Sequence, residues 1–124
     1  MYESKTINFK RKDGPITMEI ISGYATLGSY SIIYCSNGET IPIGSGKLTD
    51  NIPDVYFLPL NFKETNDCTI YIIGNYLSAP GQDQINVSYV FLQKGVVLKG
   101  ESPVEIQILQ SVISTHHSIS FNMV

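Results

Sequence analysis

Apolar side chains recur at every second position along most of this chain. Ile7 and Phe9 flank Asn8, and Ile16, Met18 and Ile20 alternate with Thr17 and Glu19. Tyr30, Ile32 and Tyr34 skip over Ser31; Ile85, Val87, Tyr89 and Phe91 interleave with Asn86 and Ser88; Val104, Ile106 and Ile108 interleave with Glu105 and Gln107. Successive side chains of a strand point to opposite faces, so this pattern buries one face of a sheet and wets the other. No apolar stretch keeps helical spacing for three turns. The best helical alternative, 52–63, contains Pro53 and Pro59 and cannot run through the second.

The pattern predicts strands near 5–10, 16–22, 29–36, 39–43, 54–60, 68–74, 84–93, 96–99, 104–110 and 117–123. Asn37 and Gly38 suit a type I′ turn, which needs positive φ at both central residues. That turn sets Ser36 opposite Glu39, Cys35 opposite Thr40 and Tyr34 opposite Ile41. Lys94 and Gly95 suit the same turn and set Leu92 against Val97. Pro42 has no N–H for a ladder, which makes 39–43 an edge or bulged strand. The stretches 44–53, 61–67 and 75–83 read as longer connections. The fold class is therefore all-β: an antiparallel two-layer β-sandwich of about 8–10 strands with a Greek-key or jelly-roll path, in one domain spanning 1–124.

Some strands depart from simple alternation. In 55–58, Val55, Tyr56, Phe57 and Leu58 are apolar on both faces. In 69–73, Ile70 and Ile72 face one way while Tyr71 and Ile73 face the other, and Ile33 and Cys35 add an apolar second face to the third strand. A strand apolar on both sides needs cover on both sides, and a second subunit is the simplest source of it. The segment 106–124 carries no formal charge with neutral histidines, apart from the chain terminus. Its final strand, with Ile119, Phe121 and Met123 on one side, lacks the Lys, Pro or inward charge that guards an exposed sheet edge, and is safe without them only if it is central in its sheet.

Composition narrows the function classes. At 124 residues the chain buries about two thirds of its unfolded surface, enough for a core without metals or disulfides. Charged residues make up 15%, below the usual quarter or so, and the net charge is -3 with one arginine. Nucleic-acid binding is disfavoured, since phosphate neutralisation needs clustered Lys and Arg, and the only basic run, Lys10, Arg11 and Lys12, meets Asp13 at a turn. No segment has the length and apolarity of a membrane span. Without a leader sequence the chain reads as cytoplasmic as written, and as extracellular if a signal peptide has been removed. Cys35 and Cys68 both fall among Ile and Tyr and are expected to be reduced and buried.

Catalytic constellations are weak. Gly44, Ser45, Gly46 and Lys47 resemble the tail of a phosphate-binding loop, but Ile41 stands where the first glycine belongs and Leu48 where Ser or Thr belongs. A flexible loop is the expected structure. His116 and His117 are adjacent, so on a strand they project to opposite faces and cannot close on one metal ion; both read as solvated or weakly packed. Asp50, Asn51, Asp54, Glu64, Asn66 and Asp67 supply oxygens for a loop-end calcium site, yet their spacing fits no fixed calcium loop and turn formation explains them. No enzyme activity, metal or cofactor is expected.

The tyrosines are the unusual element: eight, with no tryptophan. Tyr30, Tyr34 and Tyr89 alternate in phase with aliphatics and are expected in the core, hydroxyls reaching outward. Tyr24 and Tyr76 are placed in connections beyond strand ends, where rings grip flat ligands. Gln82 and Asp83 share the Tyr76 connection and supply hydrogen bonds. The reading is a non-enzymatic interaction or structural-assembly module that self-associates or binds a protein partner. The alternative is a carbohydrate-binding sandwich that holds a glycan with Tyr24, Tyr76, Gln82 and Asp83. A planar row of exposed tyrosines would favour the glycan; an apolar sheet face would favour assembly.

Overall fold

The computed structural model describes residues 1–10, 13–23, 26–36, 38–48, 53–58, 68–100 and 103–123, without the Met123 side chain. Ten strands occupy most of them: β1 (Tyr2–Phe9), β2 (Ile16–Gly23), β3 (Leu27–Ser36), β4 (Glu39–Leu48), β5 (Asp54–Phe57), β6 (Thr69–Leu77), β7 (Ile85–Gln93), β8 (Val96–Val97), β9 (Val104–Ile108) and β10 (Val112–Met123). No α-helix occurs among the described residues, so none is long and apolar enough to cross a membrane. Sheet 1 has the order β1-β10-β6-β3-β4, and sheet 2 the order β5-β2-β7-β8 with β9 also paired to β7. The chain is an all-β sandwich. It changes sheet at six of its nine connections, so the interior is knit by side chains from distant parts of the sequence.

Each inner face follows the alternation. Ile70, Ile72 and Tyr76 of β6, Tyr30, Ile32 and Tyr34 of β3, and Ile119 and Phe121 of β10 meet Met18 and Ile20 of β2, Val87, Tyr89 and Phe91 of β7, and Ile106 of β9 in one buried cluster. Both hairpin registers match the turn chemistry. Ser36, Cys35 and Tyr34 oppose Glu39, Thr40 and Ile41, and Leu92 opposes Val97. Lys94 and Gly95 have φ of 52° and 74°, the two positive values a type I′ turn requires. Asn37 itself lies outside the described residues. Pro42 sits on an edge strand and beside a bulge, since Ile32 pairs Gly44 while Ile33 pairs Pro42, leaving Ile43 between them.

Three expectations are corrected, and the position of the last strand, open between edge and centre, is decided. β4 runs on to Leu48, so Gly44, Ser45 and Gly46 belong to a strand and not to a flexible loop. β6 runs to Leu77, which takes Tyr76 out of the connection. β10 begins at Val112 and is hydrogen-bonded on both sides, parallel to β1 and antiparallel to β6, so it is not an open edge. The parallel β1–β10 pair makes sheet 1 mixed; the two ends of the chain lie side by side and no hairpin links them. The edge strand of that side is β1. Its Glu3 and Lys5 pair inner-face residues His117 and Ile119, and inward charge is one of the devices that blunt an edge.

Candidate interaction surfaces and the interior that positions them

Three glycines on the inner face of sheet 1 explain where the tyrosines go. A Cβ on Gly44 would stand 2.4 Å from the Tyr56 ring, one on Gly46 2.6 Å from the Tyr30 hydroxyl, and one on Gly74 2.4 Å from the Tyr76 ring. Bare backbone at these points lets the tyrosine side chains approach the sheet closely, a usual reason for glycine inside a strand. The register sets Thr115, Gly74, Tyr30 and Gly46 in one cross-strand row, with Glu3, His117, Ile72, Ile32 and Gly44 in the next. Sheet 2 answers with Tyr89 from β7 and with Asp54 and Tyr56 from β5. The Tyr30 hydroxyl donates to the Asp54 carboxylate and lies 2.5 Å from the Tyr56 hydroxyl; the Tyr76 and Tyr89 hydroxyls are 2.5 Å apart.

The hydroxyls of Tyr30 and Tyr89 therefore point into the molecule, not outward as their phase suggests. Burial drives the Tyr30 and Tyr76 phenols well above the ordinary tyrosine range, reinforced for Tyr30 by the Asp54 carboxylate and for Tyr76 by the neighbouring Tyr89. Tyr89 is pushed up to about 12 by burial, tempered by the Tyr76 and Thr115 hydroxyls. All three stay neutral donors at any ordinary pH, which suits a structural network better than acid–base chemistry.

The histidines also depart from expectation. His117 is fully buried, its ring edge-on to Tyr89 with centroids 5.4 Å apart. Its Nε2 lies 3.4 Å from the Glu3 carboxylate, and burial holds the imidazole below its usual pKa while Glu3 opposes the shift. His116 projects to the opposite face, half-buried between the rings of Tyr2 and Tyr71, with centroids at 5.0 and 5.7 Å. Strand alternation gave the divergence; the burial of His117 follows from β10 being central. Among the described residues no group of three His, Cys, Asp or Glu is arranged to hold a metal ion.

The two outer faces differ in charge. On sheet 1 the outward positions of β1, β10, β6 and β3 are Tyr, Ser, Thr, Asn, His, Cys, Ile, Leu and Val, without one Asp, Glu, Lys or Arg, and the edge strand β4 adds a single cation, Lys47, opposite Ser29. One cross-strand row there is wholly apolar: Leu27, Leu77 and Val112, the last 60% exposed. Ile73 is exposed two positions further along, and Asn75 between them accepts a hydrogen bond from Ser114 at 2.7 Å. On sheet 2, Phe57 and Val55 are 74% and 51% exposed, so the stretch 55–58 bares an apolar outer side while Tyr56 and Leu58 turn inward beside Asp54. The strands of that outer face carry Glu19 and Glu105 and no cation.

The residues proposed to hold a ligand do not converge. Tyr24 lies outside the described residues. Tyr76 is 0% exposed in β6, because Gly74 opens the space its ring fills, so it offers no stacking surface. Gln82 and Asp83 are exposed in the β6–β7 connection, where Gln82 N–H donates to Ala79 O. Asp50, Asn51, Glu64, Asn66 and Asp67 lie outside the described residues, and Asp54 is engaged with Tyr30. Cys68 is buried, but Cys35 is only half-buried on the outer face of sheet 1; no disulfide joins them. No family model matches this chain, and no curated protein or solved structure is significantly similar to it.

Proposed function

We propose that this chain is a non-enzymatic interaction and assembly module that self-associates face to face through the outer surface of sheet 1. The observation that carries the reading is the complete lack of formal charge on the outward positions of four adjacent strands, with the Leu27–Leu77–Val112 row exposed at one end. Two copies related by a two-fold axis bring the same patch against itself, so a charge-free patch meets no like-charge repulsion. The outer face of sheet 2 would set Glu19 and Glu105 against their counterparts. Edge-to-edge pairing is opposed by the inward Glu3 and Lys5 on β1 and by Pro42 and the bulge on β4. Strand spacing and rise give this face about 19 by 27 Å, on the order of 500 Å² per copy, which in a pair reaches the lower limit of specific interfaces.

Light scattering coupled to size exclusion tests it. The wild type is expected at twice the chain mass at micromolar concentration. Ile73→Lys combined with Leu77→Lys, both on exposed positions, is expected to give a monomer with an unchanged circular dichroism spectrum. A wild-type mass of one chain across a wide concentration range would remove the proposal.

A further inference from the structure

Where sheet 2 hands over to sheet 1, a short stretch of chain closes one corner of the sandwich. Leu98 N–H donates to Phe91 O at 2.8 Å, so this stretch starts beside β7; one residue later Lys99 O accepts from Asn8 N–H at 2.9 Å, and Ile7 and Gly100 form an isolated antiparallel bridge. The backbones come so close that a Cβ on Gly100, at φ 103°, would stand 2.7 Å from Thr6 O. Under this corner lies a half-open cavity of about 250 Å³.

Its floor is Phe9 and Gln93, both almost wholly buried, and Val96, Val97 and Leu98 form a wall. The polar groups of the floor are committed to the fold. Gln93 Nε2 donates to Lys10 O and Gly14 O at 2.9 Å each, and Gln93 Oε1 accepts from Lys10 N–H at 3.0 Å. Asp13, at the rim, is 3.5 Å from the Lys94 ammonium. Lys10 and Lys99 line the same cavity, and neither ammonium has a carboxylate within ion-pair distance among the described residues. With Asp13 engaged by Lys94 and the Asn8 side chain by Asn122, the lining leaves for a ligand its hydrocarbon and the two lysines, Lys10 and Lys99.

From this we infer that the corner cavity binds a small amphipathic carboxylate: an apolar body seated on Phe9 and Val97, its carboxylate held by Lys10 and Lys99. At about 30 Å³ per water-sized unit the cavity takes roughly eight non-hydrogen atoms of apolar body. A phenylethyl group meets that size. The same chemistry is offered by a free aryl- or alkyl-carboxylic acid and by a peptide chain ending in phenylalanine.

The experiment is an amide-resolved NMR titration of the isotopically labelled full chain with 3-phenylpropionate, 3-phenylpropanamide and N-acetyl-glycyl-phenylalanine. The expected result is saturable shifts at Phe9, Gln93, Val97 and Leu98 with at least one of the two acids, and at least tenfold weaker binding of the amide. Binding of 3-phenylpropionate alone assigns the site to free acids; binding of the peptide acid alone assigns it to chain ends. In Lys10→Gln combined with Lys99→Gln, both exposed, acid binding is expected to fall about tenfold while the amide is unaffected. Equal binding of acid and amide, or no saturable shift at these residues with either acid, overturns the assignment.

Discussion

The two ends of the sandwich interior are built on the same alternation and hold together by different physics. At one end Phe9, Phe91 and Phe121 pack edge to face, with centroids 5.4 and 6.4 Å apart, among Ile7, Ile16, Met18 and Ile70. At the other, Tyr30, Tyr56, Tyr76 and Tyr89 join hydroxyls in pairs, with Asp54, Thr115 and His117 about them. The hydrocarbon end is non-directional, so its stability scales with volume filled and area buried. The tyrosine end is directional. Its hydroxyls must find one another, because an unpaired one left in the interior costs more than the bond contributes. Hydrocarbon holds the sheets together, and the tyrosine bridges fix where one sheet stands over the other.

The largest loss of stability is expected at the hydrocarbon end. Phe91→Ala removes a fully buried ring that touches Phe121 and is expected to cost about 3–5 kcal/mol, read from urea denaturation. Tyr89→Phe keeps the ring and deletes one hydroxyl, leaving Tyr76 without its partner; about 1–3 kcal/mol is expected. Equal losses in the two variants would show that the tyrosine end is held by ring burial alone.

Alkali separates the ends without mutation. A phenol whose folded pKa is raised keeps its proton in the folded state while the unfolded chain loses it, so stability is complete below about pH 10 and declines as pH rises beyond it. Tyr30, Tyr76 and Tyr89 are all raised in this way. Each adds a slope of at most about 1.4 kcal/mol per pH unit. Denaturation profiles from pH 8 to 11.5 are expected to steepen above 10, and Tyr76→Phe to flatten the slope. A profile unchanged by that substitution would mean that Tyr76 ionises as freely in the folded protein as in the unfolded chain.

Gly74→Ala sets the same methyl-sized change against a close approach. The new Cβ would fall 2.4–2.5 Å from ring atoms of Tyr76, in a row that has no slack, and about 1–3 kcal/mol of overpacking is expected. In a Tyr76→Leu background the penalty should shrink, and a double-mutant cycle measures the difference.

How far the sequence alone could be read depends on which of these ends is asked about. Period-two runs and turn dipeptides are local signals, so the strands, the two hairpin registers and the edge position of Pro42 were legible. The pairing of β1 with β10 was not, because it joins residues more than a hundred positions apart and leaves no local trace. The tyrosine lattice was missed for a nameable reason. Gly44 and Gly46 read as loop residues and Gly74 as a strand end, when glycine within a strand signals close approach. Tyr76 was misplaced with them. The buried His117 was hidden by its neighbours, since Ser, Thr and His surround it in sequence and only the central position of β10 covers it.

The smallest expected effect comes from that histidine. His117 faces Glu3 and Lys5 from β1 and Tyr89 from β7, with His116 next to it on the opposite face. Burial lowers its pKa in the folded state, and Glu3 offsets part of that. Below about pH 6.5 the unfolded chain therefore binds a proton that the folded chain resists, and stability falls with pH through this window. One such group gives a slope of at most about 1.4 kcal/mol per pH unit. His117→Phe removes the group while filling its place beside Tyr89, so its loss of stability between pH 7 and pH 5 is expected to be smaller than that of the wild type. Urea denaturation at half-unit pH steps reads the difference. Parallel profiles for the two proteins would show that His117 takes up its proton as readily folded as unfolded, with Glu3 compensating burial in full. The acid sensitivity would then have to be sought outside the tyrosine end.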